Sequence, residues 1–475
     1  MFLIRLVSII FLFFPIIFSN FAQNYLKSLD LKPPQNIILM ISDGCGLNHI
    51  QATNLYQYGE LERQVYEKFP IRIFMSTYSA KNYKNDYNDK DFIWFTGYNS
   101  HLTWSDFNWR KKGTTCSGAA ATAMATGFKT YNGAIGVGLN NENLFNLTEL
   151  AKSLGKSTGV ITSVPFSHAT PAGFVAHNKS RENYSEIAKD MLFNSKIDVI
   201  IGCGHPYYDN NGEKSEKAIS FDYVGDSLIW VWLHNNQLNC MTLDSIIYTP
   251  QDCDGDSLPD KWKLIESKNE FEILENGTIP KRLLGIPTVH ETLQYGRSGE
   301  LNAEPFKVPL NNNVPNLSSL VKTGINALDN NSNGFFLMIE GGAIDWASHS
   351  NKIGRLIEEE MDFNSAVEVV VEWIEKNSSW NETLLIVTSD HETGYLTGPD
   401  YNVNNIESYY VQNQGKGLIP IYKWNHTGHT NTLVPVYAKG CGAEMLNFFA
   451  DETDIYFGRY IDNTDIAKMI FLLWR

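Results

Sequence analysis

Asn36–Ser42 reads NIILMIS, an unbroken apolar run held between Pro34 and Gly44. Alternating polar and apolar positions would mark a strand with one wet face. A continuous run marks one covered on both faces, as in a parallel sheet. Comparable runs recur at Thr158–Thr162, Asp198–Ile201, Gly334–Ile339, Thr383–Thr388 and Leu433–Ala438. Helical stretches lie between several of them, including Leu147–Leu154 and Arg355–Glu375, and Ile466–Trp474 reads as a closing amphipathic helix. Strands alternating with helices predict an α/β fold, a three-layer sandwich around a central, mostly parallel β-sheet.

Two regions interrupt this rhythm. Lys81–Lys112 is rich in Asn, Asp, Tyr and Trp, lacks periodicity, and reads as an inserted surface excursion. His205–Pro305 separates two core strands by far more than an ordinary connection and reads as an inserted cap or subdomain. Directly after the first interruption comes Thr114–Gly127, TTCSGAAATAMATG. Its small residues favour a tightly packed helix starting just after Ser117. A serine there faces orphan N–H groups and the positive end of the dipole, a setting for an anion. A capping serine on a buried Ala-rich helix would look the same, so Ser117 gains weight only from the rest of the chain.

The chain has 475 residues, a formal charge of −15 and a pI near 5.2. That balance argues against nucleic-acid binding, which needs a basic surface. Arg5, the apolar stretch Leu6–Phe18 and a cleavage position at Ala22 read as a signal peptide over residues 1–22, leaving a mature chain over 23–475. The apolar stretch is short for a membrane anchor and no later run is long enough to span, so the mature protein is expected to be secreted or periplasmic. Six scattered cysteines allow fifteen pairings. Mostly free thiols are expected, with Cys240–Cys253 the first pair to consider.

Acids fall at the strand ends. Asp43 follows the first strand, Glu340 the Gly334 strand, and Asp390 with His391 the Thr383 strand. Ligands of open α/β sheets bind beyond the carboxyl ends of the strands, so these acids can converge. Asp345 and His349 stand four apart, on one face of a helical turn, and His429 precedes the last core strand. Two cations about 4 Å apart can clamp the oxygens of a phosphoryl transfer. Zinc takes imidazole and carboxylate, and a third, harder ion would favour Asp43, Thr170 and Glu340.

The chain resembles the alkaline phosphatases, metal-dependent phosphomonoesterases, from about Asn36 to Gly440. The stretches that carry the resemblance are NIILMISDG, TTCSGAAATAMATG with KTYNGAIGV, HATPAGFVAHNKSR, FFLMIEGGAIDWASH, IVTSDHETG and HTNTLVPVYAKG. It implies Ser117 as the nucleophile that becomes phosphoserine, and Arg181 as the guanidinium that grips phosphate. It implies two zinc ions, one on Asp345, His349 and His429 and one on Asp43, Asp390 and His391, and one magnesium ion on Asp43, Thr170 and Glu340. The implied reaction is in-line hydrolysis of small-molecule phosphate monoesters to alcohol and inorganic phosphate, and a homodimer is compatible with it. Cys116 stands where the family often has Asp, removing an acid beside Arg181. His168 and Trp346 stand where some members have Asp and Lys. Imidazole is a softer donor, so His168 would tune the third site toward zinc or cobalt. A phosphodiesterase or sulfatase on the same scaffold, or an idle phosphate-binding protein, are the rival readings.

Asp252, Asp254, Asp256 and Asp260 occupy positions 1, 3, 5 and 9 of an EF-hand-like loop, with the Leu258 carbonyl at position 7. Ser257 replaces the glycine of position 6, and Lys263 the glutamate of position 12. The loop reads as a calcium site or as an acidic, solvated turn.

Overall fold

Ile37, Leu39 and Ile41 pack into one hydrophobic cluster, and Ile38 and Met40 into another. The strand that carries them is therefore covered on both faces, as its apolar run requires. It lies in a computed structural model that describes residues 32–80, 97–235, 241–243, 246–403 and 405–475. The strands of the main sheet are β1 (Asn36–Ser42), β2 (Ile71–Ser76), β3 (Ser157–Pro165), β4 (Val199–Cys203), β5 (Lys263–Ile265), β6 (Leu283–Gly285), β7 (Phe335–Gly341), β8 (Thr383–Thr388), β9 (Val434–Gly440), β10 (Glu452–Asp454) and β11 (Gly458–Asp462). Their spatial order is β10-β11-β2-β9-β8-β1-β7-β3-β4-β6-β5. From β8 to β5 every pairing is parallel.

The helices α1 (Leu47–Tyr58), α2 (Ser117–Thr126), α3 (Leu147–Ser153), α4 (Ala169–Gly173), α5 (Leu317–Leu328), α6 (Ala343–His349), α7 (Ile353–Asn377) and α8 (Thr464–Leu473) make the outer layers. Residues of α2, α3, α4 and α8 join the cluster of Ile37, and those of α1, α5, α6 and α7 the cluster of Ile38. In α7 the buried positions Leu356, Phe363, Val367, Val370 and Ile374 recur at helical spacing, so one stripe faces the sheet. Each fully buried Leu, Ile or Phe contributes about 1.5–3 kcal/mol of transfer free energy.

Three expectations are corrected. The Leu433 run forms β9, which pairs antiparallel with β8 and β2. An apolar run reports burial on both faces and is silent on direction. The excursion before α2 is not wholly a surface feature: Thr103, Trp104 and Arg110 are buried. The Arg110 guanidinium lies 4.5 Å from the Tyr395 ring centre, and Trp104 Nε1 donates to Asp454. Residues 81–96 lie outside the described residues. The 205–305 region, besides its own helices, adds β5 and β6 to the edge of the sheet. The described cysteines, Cys253 among them, are free thiols; Cys240 and the signal-peptide reading of residues 1–22 lie outside the described residues. Among the described residues no helix is long and apolar enough to cross a membrane.

Candidate active site

Three adjacent central strands deliver the acids to one edge of the sheet. Asp43 follows β1, Glu340 is the penultimate residue of β7 beside it, and Asp390 and His391 lie just past β8 on the other side. The first residue of α2 is Ser117, with Cys116 in extended conformation as its cap. The Ala-rich composition of α2 follows from how closely α4 approaches it. A side chain at Gly173 would come within 2.7 Å of the Ala121 methyl. This packing fixes the helix start, and Ser117 Oγ lies buried 3.3 Å from His391 Nε2.

The imidazoles are oriented by their outer nitrogens. A carbonyl can only accept, so His349 Nδ1–H donates to Thr427 O at 2.5 Å, and His429 Nδ1–H to Thr115 O at 2.7 Å. Thr393 Oγ1 donates to Asp345 Oδ1 at 2.6 Å, which leaves that hydroxyl to accept from His391 Nδ1 at 3.2 Å. In neutral rings all three Nε2 atoms are then bare lone pairs turned inward. Those of His349 and His429 lie 3.0 Å apart, and 3.4 and 3.6 Å from Asp345. Lone pairs this close repel unless a proton or a cation lies between them. His391 Nε2 lies 3.1 Å from Asp390 Oδ2 and 3.6 Å from Asp43 Oδ1.

The carboxylates show the same deficit of positive charge. Asp43 Oδ1, Asp390 Oδ2 and Glu340 Oε1 are buried without a hydrogen-bond partner. Burial, reinforced by Asp390, holds the Asp43 carboxyl well above its usual range, and burial pushes Asp390 up to about 7. Burial opposes charge on His429, but its pairing with Asp345 outweighs this and lifts it to about 9. Buried charges need partners or coordinated metal. Two sets of ligand atoms lie within 4.8 Å of one another: Asp43, Asp390 and His391, and Asp345, His391 and His429, with His391 common to both. His349 adds a further nitrogen to the second set. The donor chemistry fits divalent cations.

On the far side of Asp43, Thr170 Oγ1 donates to Asp43 Oδ2 at 3.3 Å, and Thr162 donates to Glu340. Arg181 Nη2 lies 3.3 Å from His168 Nε2. Burial, then the Arg181 charge, holds His168 down at about 3, so its ring is neutral. The expected site residues thus gather in one place. The sequence reading missed Thr393, although it lies inside the stretch IVTSDHETG, and Thr162 within β3. Cys116 Sγ accepts from Gly133 N at 3.0 Å. Burial works against the Arg181 charge.

In the acidic loop, carboxylate oxygens of Asp252, Asp254 and Asp260 lie close enough to share a cation. The Lys281 ammonium is already among them, 2.7 Å from Asp254 and from Asp256 and 3.5 Å from Asp260. Ser257, standing where such loops carry glycine, takes φ +68°. Leu258 N–H donates to Asp256 Oδ1 at 2.8 Å.

A serine at a helix start, among inward-facing imidazoles and unpartnered carboxylates at the carboxyl edge of a parallel sheet, defines an α/β hydrolytic site. Residues 34–422 match the alkaline phosphatase family, and the chain belongs to it; it is a phosphatase, acting on monoesters. It is 27% identical to alkaline phosphatase 4 of Bacillus subtilis (strain 168), over 94% of this chain and 90% of the relative. It is 26% identical to the alkaline phosphatase of Escherichia coli (strain K12), over 90% and 86%. Among solved structures, alkaline phosphatase from the Antarctic bacterium TAB5 is similar with a TM-score of 0.59 and 26% identity, covering 94% of this chain and 98% of that one.

Proposed function

We propose that this chain is an exported, metal-dependent phosphomonoesterase working through a phosphoserine at Ser117. The observation that carries the reading is the position of Ser117 Oγ beside His391 Nε2, among inward-turned imidazole nitrogens and orphaned carboxylate oxygens. Two zinc ions would be held by Asp345, His349 and His429 and by Asp43, Asp390 and His391, with magnesium on Asp43, Thr170 and Glu340. When bound, such ions supply Lewis acidity that lowers a hydroxyl pKa and stabilises developing oxyanions. The chain's own residues do the positioning. The α2 N-terminus and the Arg181 fork orient the phosphate of a small monoester against Ser117 Oγ. Holding these groups in place before the reaction would lower the cost of reaching the transition state. One solved relative, 26% identical, is a TAB5 histidine-to-glutamate variant with Mg bound in its M3 site. We read His168 as the tuning residue of the corresponding third site here.

The test is acid quenching of the metal-loaded protein with a labelled monoester, together with metal analysis of the same sample. Label is expected on Ser117 and absent from Ser117→Ala, whose kcat falls by orders of magnitude. The fold should hold, because Ala is the better helix former. Full activity of Ser117→Ala would overturn the assignment.

A further inference from the structure

Arg110 ends the short helix Phe107–Arg110 and is fully buried. Its guanidinium lies among three rings, 4.5 Å from the centre of Tyr395, 5.4 Å from Trp104 and 5.5 Å from Tyr401. Nη2 donates to Tyr401 Oη at 2.7 Å, and Tyr395 Oη donates to the same oxygen at 3.0 Å. Nε and Nη1 have no hydrogen-bond partner. Ring faces and one hydroxyl thus stand where a buried charge usually has a carboxylate.

What Arg110 holds bears on the candidate ligands. Tyr395 takes φ +46°, a left-handed conformation unfavourable for a bulky residue, and is 1% exposed. Such a backbone persists where its surroundings fix it. Tyr395 follows Glu392–Thr393, which pair antiparallel with His429–Thr430. His391 directly precedes one strand of this ribbon and His429 begins the other, and their rings stack with centroids 3.6 Å apart and planes 23° apart. Past the second strand, Asn431 N–H donates to Arg110 O at 2.8 Å and Asn431 Nδ2 donates to Lys112 O. The same segment ends at Thr115, whose carbonyl accepts from His429 Nδ1 at 2.7 Å. Arg110 therefore meets one side of the ribbon through its guanidinium and the other through its backbone.

We propose that Arg110 is a positioning residue, which clamps this ribbon and so sets the relative aim of the His391 and His429 imidazoles. It acts through Tyr395 and Asn431, and the role rests on the metal-dependent reading above. An apolar side chain of the same length would fill the space. It would neither draw a charge onto the Tyr395 face nor donate to Tyr401, so the two strands would lose a common anchor. His391 belongs to both candidate ligand groups, and His429 to one of them. A small shift of the ribbon therefore alters both groups at once. Arg181 and Ser117 lie outside the ribbon, so the grip on phosphate should be affected less than the chemistry.

The test compares Arg110→Met, Arg110→Lys and Tyr401→Phe with wild type. The visible spectrum of the cobalt-loaded protein reports ligand geometry, and zinc release to a competing chelator reports how firmly the ligands are held. Arg282→Met is the control, since Arg282 is likewise buried, 3.9 Å from the Trp262 ring centre, and bonds to the Ser195 and Ile197 carbonyls instead. Arg110→Met should shift the cobalt bands, release zinc about tenfold faster, and lower kcat with little change in KM. Arg110→Lys, which keeps the charge, should recover part of each effect. Tyr401→Phe removes only the acceptor and should move the same readouts less, and it decides the matter if Arg110→Met does not fold. Arg282→Met should lower the melting temperature and leave spectrum and release rate unchanged. A wild-type spectrum and release rate in Arg110→Met or, if that protein does not fold, in Tyr401→Phe overturns the role. So does an equal effect of Arg282→Met. If wild type takes up neither zinc nor cobalt, the metal-dependent reading falls, and this role with it.

Discussion

The Thr393 hydroxyl donates to Asp345 Oδ1 across 2.6 Å. Because it also lies 3.2 Å from His391 Nδ1, one side chain ties a carboxylate of one candidate metal group to an imidazole of the other. Partners of this kind fix the tautomer and aim of the ligands, and their loss typically weakens metal binding by about 10–100-fold. Thr393→Val keeps the shape and removes the hydroxyl. Zinc should then leave this variant faster than wild type when a chelator competes, with a smaller change in melting temperature. Identical release rates would mean that the hydroxyl only fills space.

In the proposed third site His168 would offer a neutral imidazole where a carboxylate would serve a harder ion. In His168→Asp the donor becomes an anionic oxygen beside Thr170 and Arg181. Activation should then shift toward magnesium and away from zinc or cobalt. Titration of each ion into metal-stripped protein gives the profile. An unaltered order of activation would remove His168 from the third site.

Lys281 and the acidic loop make a separable case. The ammonium already neutralises Asp254 and Asp256, so calcium must displace it, and position 12 offers no glutamate. Calcium should therefore raise the wild-type melting temperature only slightly, and raise that of Lys281→Met more. Asp254→Ala should abolish the gain with little change in kcat. Melts of all three proteins in EGTA and in millimolar calcium decide the matter. If Lys281→Met ignores calcium, the loop is a solvated turn closed by a lysine.

The strands β1, β7 and β8 were legible because a strand buried on both faces must be apolar at nearly every position, which makes an acid at its end conspicuous. The three-residue strands β5 and β6 are too short to show a period. In β2 Arg72 is exposed and breaks the apolar run. The candidate ligands were legible as motifs, since Asp, His and Glu recur in recognisable strings. Thr393 and Thr162 were not, because a threonine's role depends on what lies opposite it in space. Lys281 escaped for the same reason: it belongs to no acidic string, yet folding places it inside one.

Glu359, on α7, should set part of the pH dependence of stability. It is 5% exposed and its Oε1 has no hydrogen-bond partner. Burial, then the neighbouring charges of Asp362 and Glu358, push its carboxyl up to about 8, against weaker opposition from Arg297 and Arg355. In the unfolded chain the same group titrates near 4.5. Between these values the folded protein keeps a proton that the unfolded chain has lost. Folding therefore binds protons there, and the contribution to stability, full below the lower value, is lost as pH rises through the upper one. At about 1.4 kcal/mol per unit, a few kcal/mol is the ceiling. Glu359→Gln cannot ionise, so it should match wild type near pH 5 and exceed it by about pH 9. Urea melts of the two proteins across that range check this. Parallel curves would mean that Glu359 ionises in the folded protein as it does in the unfolded chain.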